Sequence, residues 1–381
     1  MQGSAHNELV LVVNSGSSSL KFGLFYRGDS DEEALLSGSA EGIGRSDGRL
    51  KMLSSSGDLL WQRENVVESQ SHALGAVAEA VQRHVGQSPL AVGHRIVHGG
   101  PKLRTHQEIT PQALEELRAA THFAPLHIPQ SLALIASAQN TFPSARQFAC
   151  FDDAFHQNMP EVASHFPLPR RYFQAGIRRY GFHGLSYESL VHHFGVRLPE
   201  KVIFAHLGNG ASLCAVRRGM SIDTTMGLTP TGGIPMGTRC GDLDPGVLLY
   251  LLRTEKLNID QLEEMLNLHS GLVALSAGES DVRMLEERSS CADRGASLAL
   301  DVFAVSVRKA IGAYIALLEG VDLLVFTGGI GEHSNHIRQT ASGGLESLGL
   351  SPEKIQVIAT QEERQIARHC RSLLQPSLAL R

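Results

Sequence analysis

The chain has 381 residues and a formal net charge of −5, and 42% of its residues are hydrophobic while 19% are charged. This composition is typical of a globular protein and excludes a disordered one, and it lacks the basic excess of a nucleic-acid-binding protein. The chain is too long for a domain with one ordinary hydrophobic core, so we predict two domains. Five scattered cysteines without a C-x-x-C pair predict reduced thiols and no zinc site. No leader-like N-terminus or bilayer-length apolar run is found, so we expect a cytoplasmic protein without membrane contact.

The first half of the chain predicts a sheet followed by helices. Residues 9–13 and 20–26 form two apolar runs around a polar turn, and shorter runs in residues 35–60 predict further strands of the same sheet. Helical spacing of apolar residues follows in residues 72–85. Thr110 and Pro111 are typical of an N-cap and a first helical position, so a helix begins there.

The second half repeats this arrangement. Residues 201–219 again predict a strand, a glycine-rich turn and a strand, and helices follow in residues 245–252, 259–266 and 296–318. Each half therefore predicts a mixed sheet flanked by helices. Prolines cluster in residues 151–171, where we expect the two domains to join.

Three polar loops follow strands and could bind phosphate. They are residues 14–21 (NSGSSSLK), 205–212 (AHLGNGAS) and 326–334 (FTGGIGEHS). Backbone N–H groups, hydroxyls and a lysine suit phosphate oxygens, and glycines allow close approach of a ligand. The first loop lacks the Walker pattern and precedes a strand, so an ordinary hairpin turn is the alternative. All three together favour nucleotide binding.

Two arginines lie beside glycines, Arg95 in GHRIVHGG and Arg239 in MGTRCGDLDPG. Such a pair could spread positive charge over a carboxylate and a transferring phosphoryl group. Surface arginines are the alternative interpretation. Flanking glycines and apolar runs disfavour this alternative at these two positions.

Other candidate side chains have structural alternatives. His127 and His183 occupy tight Pro or aromatic-Gly contexts, which also suit structural histidines. Asp152 ends a strand, a common place for acids that hold Mg²⁺ or orient substrate. Glu362 and Glu363 start the last predicted helix, where acids also complement the helix dipole.

Seven of these segments resemble, in order and spacing, the motif series of the acetokinase family. They are VLVVNSGSSSLKF, HRIVHGG, FDDAFHQNMP, RRYGFHGLSYE, HLGNGAS, TPTGGIPMGTRCGDLDPG and FTGGIGEHS. The resemblance runs from about residue 9 to the C-terminus. It implies the actin, sugar-kinase and heat-shock-chaperone superfamily, with two duplicated actin-like (ribonuclease H-like) α/β domains, mixed five-stranded sheets and an ATP cleft between them. It also implies an N-terminal domain of residues 1–150 plus a helix at about 360–381, and a second domain of residues 151–359 with the nucleotide site and a homodimer interface.

The resemblance assigns roles to individual residues. Those implied in catalysis are Arg95, Asp152, His183, Arg239 and His127. Arg95 would also bind the substrate carboxylate, and the implied pocket for its methyl group consists of Val97, Leu126, Phe182 and Pro230. The implied nucleotide contacts are Lys21, His206, Leu207, Gly208, Asn209, Gly210, Asp281, Val282, Arg283, Gly329, Ile330, Gly331, Glu332 and His333. Asn14 and Glu362 would hold Mg²⁺ or Mn²⁺.

The implied reaction is direct, reversible phosphoryl transfer from ATP to acetate, giving acetyl phosphate and ADP. Alternatives are a propionate or butyrate kinase, and a non-catalytic ATP-binding regulator of the same fold. Some residues differ from the usual family motif and leave the preferred acid open. They are Ile128, Leu185, Tyr187, Gly232, Cys240 and His333. Cys240 beside Arg239 could be an acidic thiol, with an inert cysteine as the alternative.

Overall fold

The computed structural model describes residues 8–16, 19–45, 48–64 and 67–375. The chain separates into two compact units, residues 1–154 with 361–381 and residues 155–360. The predicted joint in residues 151–171 contains the first of these boundaries. No helix in the described residues combines the length and the apolar character needed to cross a membrane.

The first unit is built on one mixed sheet. Its strands are β1 (Val10–Ser15), β2 (Ser19–Arg27), β3 (Glu32–Glu41), β4 (Arg49–Ser54), β5 (Leu59–Glu64), β6 (Ala91–Ile96), β7 (Gln107–Glu108) and β8 (Arg146–Phe151). The order is β5-β4-β3-β2-β1-β6-β8-β7, and the β1–β6 and β6–β8 pairs are parallel. Three helices of this unit are α1 (Gln70–Val85), α2 (Pro111–Ala119) and α3 (Ile128–Thr141).

The predicted hairpin at the N-terminus is confirmed. Val13 lies opposite Phe22 and Asn14 opposite Lys21 in the antiparallel β1–β2 pair. Thr110 caps α2 by accepting from the N–H of Ala113, as the sequence predicts.

The second unit has five strands. They are β9 (Lys201–Leu207), β10 (Ala211–Arg217), β11 (Met220–Thr224), β12 (Leu323–Thr327) and β13 (Ile355–Val357). The order is β11-β10-β9-β12-β13, with β12 parallel to both β9 and β13. Its helices are α4 (Glu161–Ser164), α5 (Arg170–Gln174), α6 (Gly184–Phe194), α7 (Pro245–Thr254), α8 (Ile259–Leu268), α9 (Leu272–Leu275), α10 (Val282–Ser290), α11 (Arg294–Leu318), α12 (Gly328–His333) and α13 (Asn335–Ser342).

The two sheets share one topology. The run β3-β2-β1-β6-β8 matches β11-β10-β9-β12-β13, because each consists of an antiparallel three-strand meander followed by two parallel strands. The expected duplicated α/β architecture is therefore present. The first sheet differs from the expectation of five strands because β4 and β5 extend its meander and the short β7 pairs with β8 at the other edge.

The last helix, α14 (Glu362–Leu374), belongs to the first unit. Gly93 in β6 permits its close approach, since a Cβ there would lie 2.6 Å from both Ile366 Cγ2 and Cys370 Sγ. Arg371, buried, donates to both carboxylate oxygens of Glu32 on β3, at 3.0 and 3.2 Å. These contacts fix α14 against the sheet. The predicted helix extended to residue 381, and residues 376–381 lie outside the described part.

Candidate active site

Three of the predicted residues of the first unit end neighbouring parallel strands. Asn14 lies near the end of β1, Arg95 near the end of β6, and Asp152 directly follows β8. The backbone N–H of Asp152 donates to the carbonyl of Ile96. Parallel strands in register present their carboxyl ends at one edge of a sheet, which brings these side chains together.

Arg95 is held by a dense set of hydrogen bonds. Its Nε lies 3.0 Å from both carboxylate oxygens of Asp152, its Nη2 donates to Oδ2 of Asp152 at 2.6 Å, and its Nη1 donates to Oδ1 of Asn14 at 3.0 Å. Burial raises the pKa of Asp152 to about 6, and the charge and hydrogen bonds of Arg95 oppose that shift. Burial lowers the pKa of Arg95, but the charges of Asp152 and Glu362 outweigh burial and raise it. At neutral pH the pair is a charged, bidentate contact.

The first turn of α14 adds two carboxylates to this cluster. Nδ2 of Asn14 donates to Oε2 of Glu362 at 3.2 Å and to Oε1 of Glu363 at 2.8 Å. Glu362 is buried, and its Oε2 lies 4.0 Å from Nη1 of Arg95. Two neighbouring carboxylates supply oxygen ligands of the kind that a hard cation such as Mg²⁺ prefers. The family resemblance implied Asn14 and Glu362 as metal ligands, and the packing of α14 adds Glu363 as a further candidate.

The other predicted residues of the first unit differ in their exposure. Lys21 is exposed opposite Asn14, Val97 follows β6 half-buried, and Leu126 is exposed. His127 is the half-buried N-cap residue of α3. Ser17 and Ser18 of the predicted phosphate loop lie outside the described residues. The roles of all of these residues stay predictions.

His183 in the second unit adopts a strained backbone. It lies before α6 with φ of 61° and ψ of 21°, a left-handed conformation in which a residue with a Cβ is uncommon. Such strain costs about 1–3 kcal/mol and clusters at functional sites. The buried Phe182 precedes it.

Hydroxyl groups hold the imidazole of His183 and that of a second histidine. Nδ1 of His183 lies 2.9 Å from Oγ of Ser212, and Nδ1 of His206 lies 2.9 Å from Oγ of Ser186. The two rings stack with centroids 4.2 Å apart and an interplanar angle of 24°. The ring contact joins a predicted catalytic residue to a predicted nucleotide contact.

The turn of residues 208–210 lies against His183 and Arg239. A Cβ on Gly210 would lie 3.2 Å from Nε2 of His183 and 3.5 Å from Nη1 of Arg239. Nη1 of Arg239 donates to the carbonyl of Pro230 at 3.2 Å, and the N–H of Gly237 donates to the carbonyl of Asn209 at 3.3 Å. The second unit thus gathers an imidazole, a guanidinium and a glycine turn in one place.

The loop after β12 approaches the same turn. Gly328 has φ of +78°, and a Cβ there would lie 2.7 Å from the carbonyl oxygen of Leu207. A Cβ on Gly208 would lie 3.9 Å from the backbone nitrogen of Gly329 and 3.7 Å from Nε2 of His206. Ile330 and Gly331 continue α12.

Several predicted nucleotide contacts also have structural partners. Oε1 of Glu332 accepts from the N–H groups of Gly328 and Thr360. Asp281 caps α10, and hydrogen bonding from Arg283 lowers the pKa of Asp281. The adjacent Val282 is buried, and His333 is exposed at the end of α12.

Cys240 is not an acidic thiol. Burial raises its pKa, and its Sγ donates to the carbonyl of Gly241. Of the other positions that differ from the family motif, Ile128 and Leu185 are buried apolar residues and Tyr187 is a buried hydrogen-bonding residue. A Cβ on Gly232 would lie 3.2 Å from Oδ1 of Asp242.

Comparison with known proteins gives one consistent result. The family model of the acetokinase family matches residues 9–374. An acetate kinase of Methylocella silvestris is 38% identical over 403 aligned residues, which cover 96% of this chain and 98% of that protein. An acetate kinase of Clostridium botulinum strain 657 is 40% identical over 96% of this chain and 99% of its own length.

Similar solved structures also include kinases of this kind. The crystal structure of Porphyromonas gingivalis acetate kinase is 33% identical with a TM-score of 0.85, and the alignment covers 97% of this chain and 100% of that one. A propionate kinase from Francisella tularensis is also 33% identical, with a TM-score of 0.88 and coverage of 95% and 98%. The chain belongs to the acetokinase family.

Proposed function

We propose that this enzyme is an acetate kinase, which transfers the γ-phosphoryl group of ATP to acetate and gives acetyl phosphate and ADP reversibly. The convergence of His183 Nε2 and Arg239 Nη1 on the Gly210 turn is the observation that carries the proposal. A donor and a cation aimed at one glycine turn suit a phosphoryl group that passes between two anions. Family membership and the relatives named acetate kinase support it.

The reaction needs no strong general base. An oxygen of the acetate carboxylate forms a bond to the γ-phosphorus while the bond from that phosphorus to the ADP oxygen breaks. A carboxylate is already a nucleophile at neutral pH, and the main barrier is repulsion between two anions. Fixed positive charge and hydrogen-bond donors lower that barrier by about 3–4 kcal/mol each.

Arg95 has donors left for an anion. A guanidinium carries five N–H groups, and the bonds to Asp152 and Asn14 engage Nε and one N–H on each terminal nitrogen. One N–H of each terminal nitrogen remains, and 19% of the side chain is exposed. We assign these groups to the acetate carboxylate. Asp152 then serves to orient Arg95.

Glu362 and Glu363 would hold Mg²⁺ through their carboxylate oxygens, which lie side by side around Asn14. Asn14, whose Oδ1 accepts from Arg95 here, would be the further ligand that the family resemblance implies. The ion would supply charge neutralisation for the phosphates. The pocket of Val97, Leu126, Phe182 and Pro230 for the acetate methyl group, and the nucleotide contacts of residues 206–210, 281–283 and 329–333, belong to the same proposal.

Hydroxylamine trapping tests the function. Purified protein with ATP, Mg²⁺, acetate and hydroxylamine should form acetohydroxamate at a rate that drops to the no-enzyme blank when ATP or Mg²⁺ is omitted. No product above the blank would refute the proposal. ATP binding that acetate leaves unaffected, without product, would instead support a non-catalytic ATP-binding regulator.

The physiological acid is a separate question, because a propionate kinase is among the similar structures. One methylene changes binding by only about 1–3 kcal/mol. Comparison of kcat/KM for acetate, propionate and butyrate separates the candidates. We expect acetate to give the highest value, and a higher value for propionate or butyrate would support the alternative.

We also propose a homodimer that assembles through the second unit. Helices α7 and α8 contain no buried residue, although α7 includes the run Val-Leu-Leu-Tyr-Leu-Leu. Val247, Leu249 and Tyr250 on α7 are 41%, 49% and 57% exposed, and Ile259 on α8 is 78% exposed. Several exposed apolar residues on two successive helices are typical of an interface.

A further inference from the structure

The stacked imidazoles of His183 and His206 each contact a serine hydroxyl that has a second hydroxyl partner. Both serines, Ser212 and Ser186, are fully buried. Their second partners are Tyr187 and Thr360, respectively. A serine hydroxyl carries one proton, so the direction of its second hydrogen bond decides whether it can donate to the imidazole.

On the His183 side, the second partner of Ser212 is the phenol of Tyr187, and the direction of the Tyr187–Ser212 hydrogen bond decides the role of Ser212. Its Oη lies 2.5 Å from Oγ of Ser212 and 3.0 Å from the carbonyl oxygen of the same residue. The carbonyl oxygen can only accept, so the phenol is the donor in that contact, while either oxygen could donate in the contact with Oγ. Because the backbone N–H of His206 already donates to Oη, we take the phenol as the donor to Oγ as well. The proton of Ser212 is then left for Nδ1 of His183 at 2.9 Å.

On the His206 side, Thr360 and Ser186 take the places of Tyr187 and Ser212. Oγ1 of Thr360 donates to Oγ of Ser186 at 3.0 Å. The proton of Ser186 is then directed to Nδ1 of His206, at 2.9 Å. Both Nδ1 atoms are therefore hydrogen-bond acceptors.

We infer that Tyr187–Ser212 and Thr360–Ser186 are parallel hydroxyl relays that fix His183 and His206 as Nε2–H tautomers. In the neutral ring, an accepting Nδ1 requires the proton on Nε2. Nε2 of His183 lies 3.2 Å from the Cβ position of Gly210, and Nε2 of His206 lies 3.7 Å from that of Gly208. Both N–H groups are thus presented at one glycine turn.

The opposite tautomer would present a lone pair to any anion bound at this turn. Both relays therefore convert the stacked pair into two donors for phosphate oxygens, a consequence that rests on the proposed phosphoryl transfer. Tyr187 and Thr360 act through serines, so they are positioning residues. This role gives a reason why a tyrosine at position 187 is compatible with the site, although position 187 differs from the usual family motif.

The tautomers can be measured directly on full-length protein with ¹⁵N-labelled histidine. Two-bond ¹H–¹⁵N correlation spectra at pH 8 should show Nε2–H rings for both residues, assigned with His183→Gln and His206→Gln. A ring protonated on Nδ1, or on both nitrogens, in the folded wild type would overturn the inference. This spectrum requires no relay variant, so it decides the question even where a variant folds poorly.

Two variants test each relay against the other. Tyr187→Phe should shift the His183 signals toward the Nδ1–H pattern and leave His206 unchanged, and Thr360→Val should do the reverse. Tyr180→Phe is the matched control, because Tyr180 is equally buried and donates to the carbonyl of Gly176. A Tyr187→Phe spectrum identical to that of the control would contradict the relay.

Kinetics supply an independent readout. Tyr187→Phe should lower kcat about tenfold, the effect of roughly one hydrogen bond, with KM values for acetate and ATP within about twofold of wild type. Tyr180→Phe should retain wild-type kcat. A rise in KM with unchanged kcat would contradict positioning of a transition-state donor. Failure of the proposed function would appear as absence of product with the wild type, while the tautomer pattern persists.

Discussion

His183 combines a strained backbone with an oriented imidazole. Its φ of 61° carries a free-energy cost that only the surrounding structure offsets. Asparagine tolerates this conformation better than most residues, so His183→Asn removes the imidazole while the backbone is retained. We expect turnover to fall about 100- to 1,000-fold, as for loss of a transition-state donor.

Circular dichroism melting should accompany that measurement. The thermal midpoint of His183→Asn should lie near or slightly above that of the wild type. A variant with near-wild-type turnover would show that the ring is structural, the alternative that the sequence left open.

Candidate site residues could be named from the sequence where residue type and context, or the family resemblance, pointed to them. Asn14, Arg95, Asp152 and Glu362 were predicted, and the structure brings them together. Glu363 was not, because acids in a first helical turn have a common role in complementing the helix dipole. Its contact with Asn14 depends on how α14 packs, which local sequence does not determine.

At the level of single elements, the 208–210 turn is sensitive to added volume. A Cβ on Gly210 would be closer to His183 Nε2 than most real Cβ contacts, so Gly210→Ala should displace that ring or the guanidinium of Arg239. Displacement of reacting groups by about 1 Å can cost about 100-fold in rate. We expect activity to fall by about that factor in the hydroxamate assay.

Gly312→Ala is the matched control for Gly210→Ala. Gly312 lies within α11, where an added Cβ meets no atom within 4 Å. It should retain full activity and gain up to about 1 kcal/mol of stability from its higher helix propensity. Equal activity of the two variants would contradict the assignment of the turn to the site.

Strand β6 contains a histidine that should make stability depend on pH. Burial lowers the pKa of His94 to about 4 from an ordinary 6.5, although its hydrogen bond with Gln147 opposes the shift. Nε2 of His94 lies 2.8 Å from Oε1 of Gln147, and Nδ1 has no hydrogen-bond partner in the described structure. A second proton would therefore be buried without an acceptor.

The direction in which stability changes with pH follows from proton binding. Between pH 6.5 and about 4 the unfolded chain binds a proton at this histidine and the folded chain does not, so stability is lost as the pH falls through this window. The two pKa values correspond to a loss of about 3 kcal/mol. Urea titrations from pH 7 to pH 4 should show a flatter pH dependence for His94→Gln. The exposed His72→Gln is the control, and a wild-type slope in His94→Gln would refute the assignment.

Elements with regular patterns were predicted well. The β1–β2 and β9–β10 hairpins, the start of α2 and the strand-to-helix turn after β12 agree with the sequence. The size of the first sheet was not predicted. Strand β5 contains many polar residues, and β7 has only two residues. Neither segment therefore shows the apolar pattern from which a strand is predicted.

At the level of the whole molecule, the repeated strand order explains the two glycine-rich hairpin turns. Each sheet begins with a meander whose first hairpin follows a buried strand, as the similar segments NSGSSSL and LGNGASL suggested. Which unit binds nucleotide, the predicted ATP cleft and the cytoplasmic location stay predictions.

The proposed homodimer predicts a definite mass. Light scattering at micromolar concentration should give twice the chain mass of 41.2 kDa. Leu249→Glu with Tyr250→Glu on α7 should give a single-chain mass, because charges in an apolar interface are costly. Val196→Glu, at a fully exposed apolar position outside α7 and α8, should remain dimeric. A single-chain mass for the wild type would contradict the proposal.

Fixed positive charge should allow a carboxylate to accept a phosphoryl group from a polyanion, and the turnover of Arg239→Ala is the decisive measurement. Arg95 is less suitable, since its removal leaves Asp152 buried without its partner. Turnover of acetate should be measured together with the thermal midpoint, with Arg218→Ala, which loses only an exposed pair with Glu200, as the control. We predict a fall in kcat of about 100- to 1,000-fold for Arg239→Ala at a nearly unchanged midpoint. Wild-type turnover per folded molecule would contradict the claim.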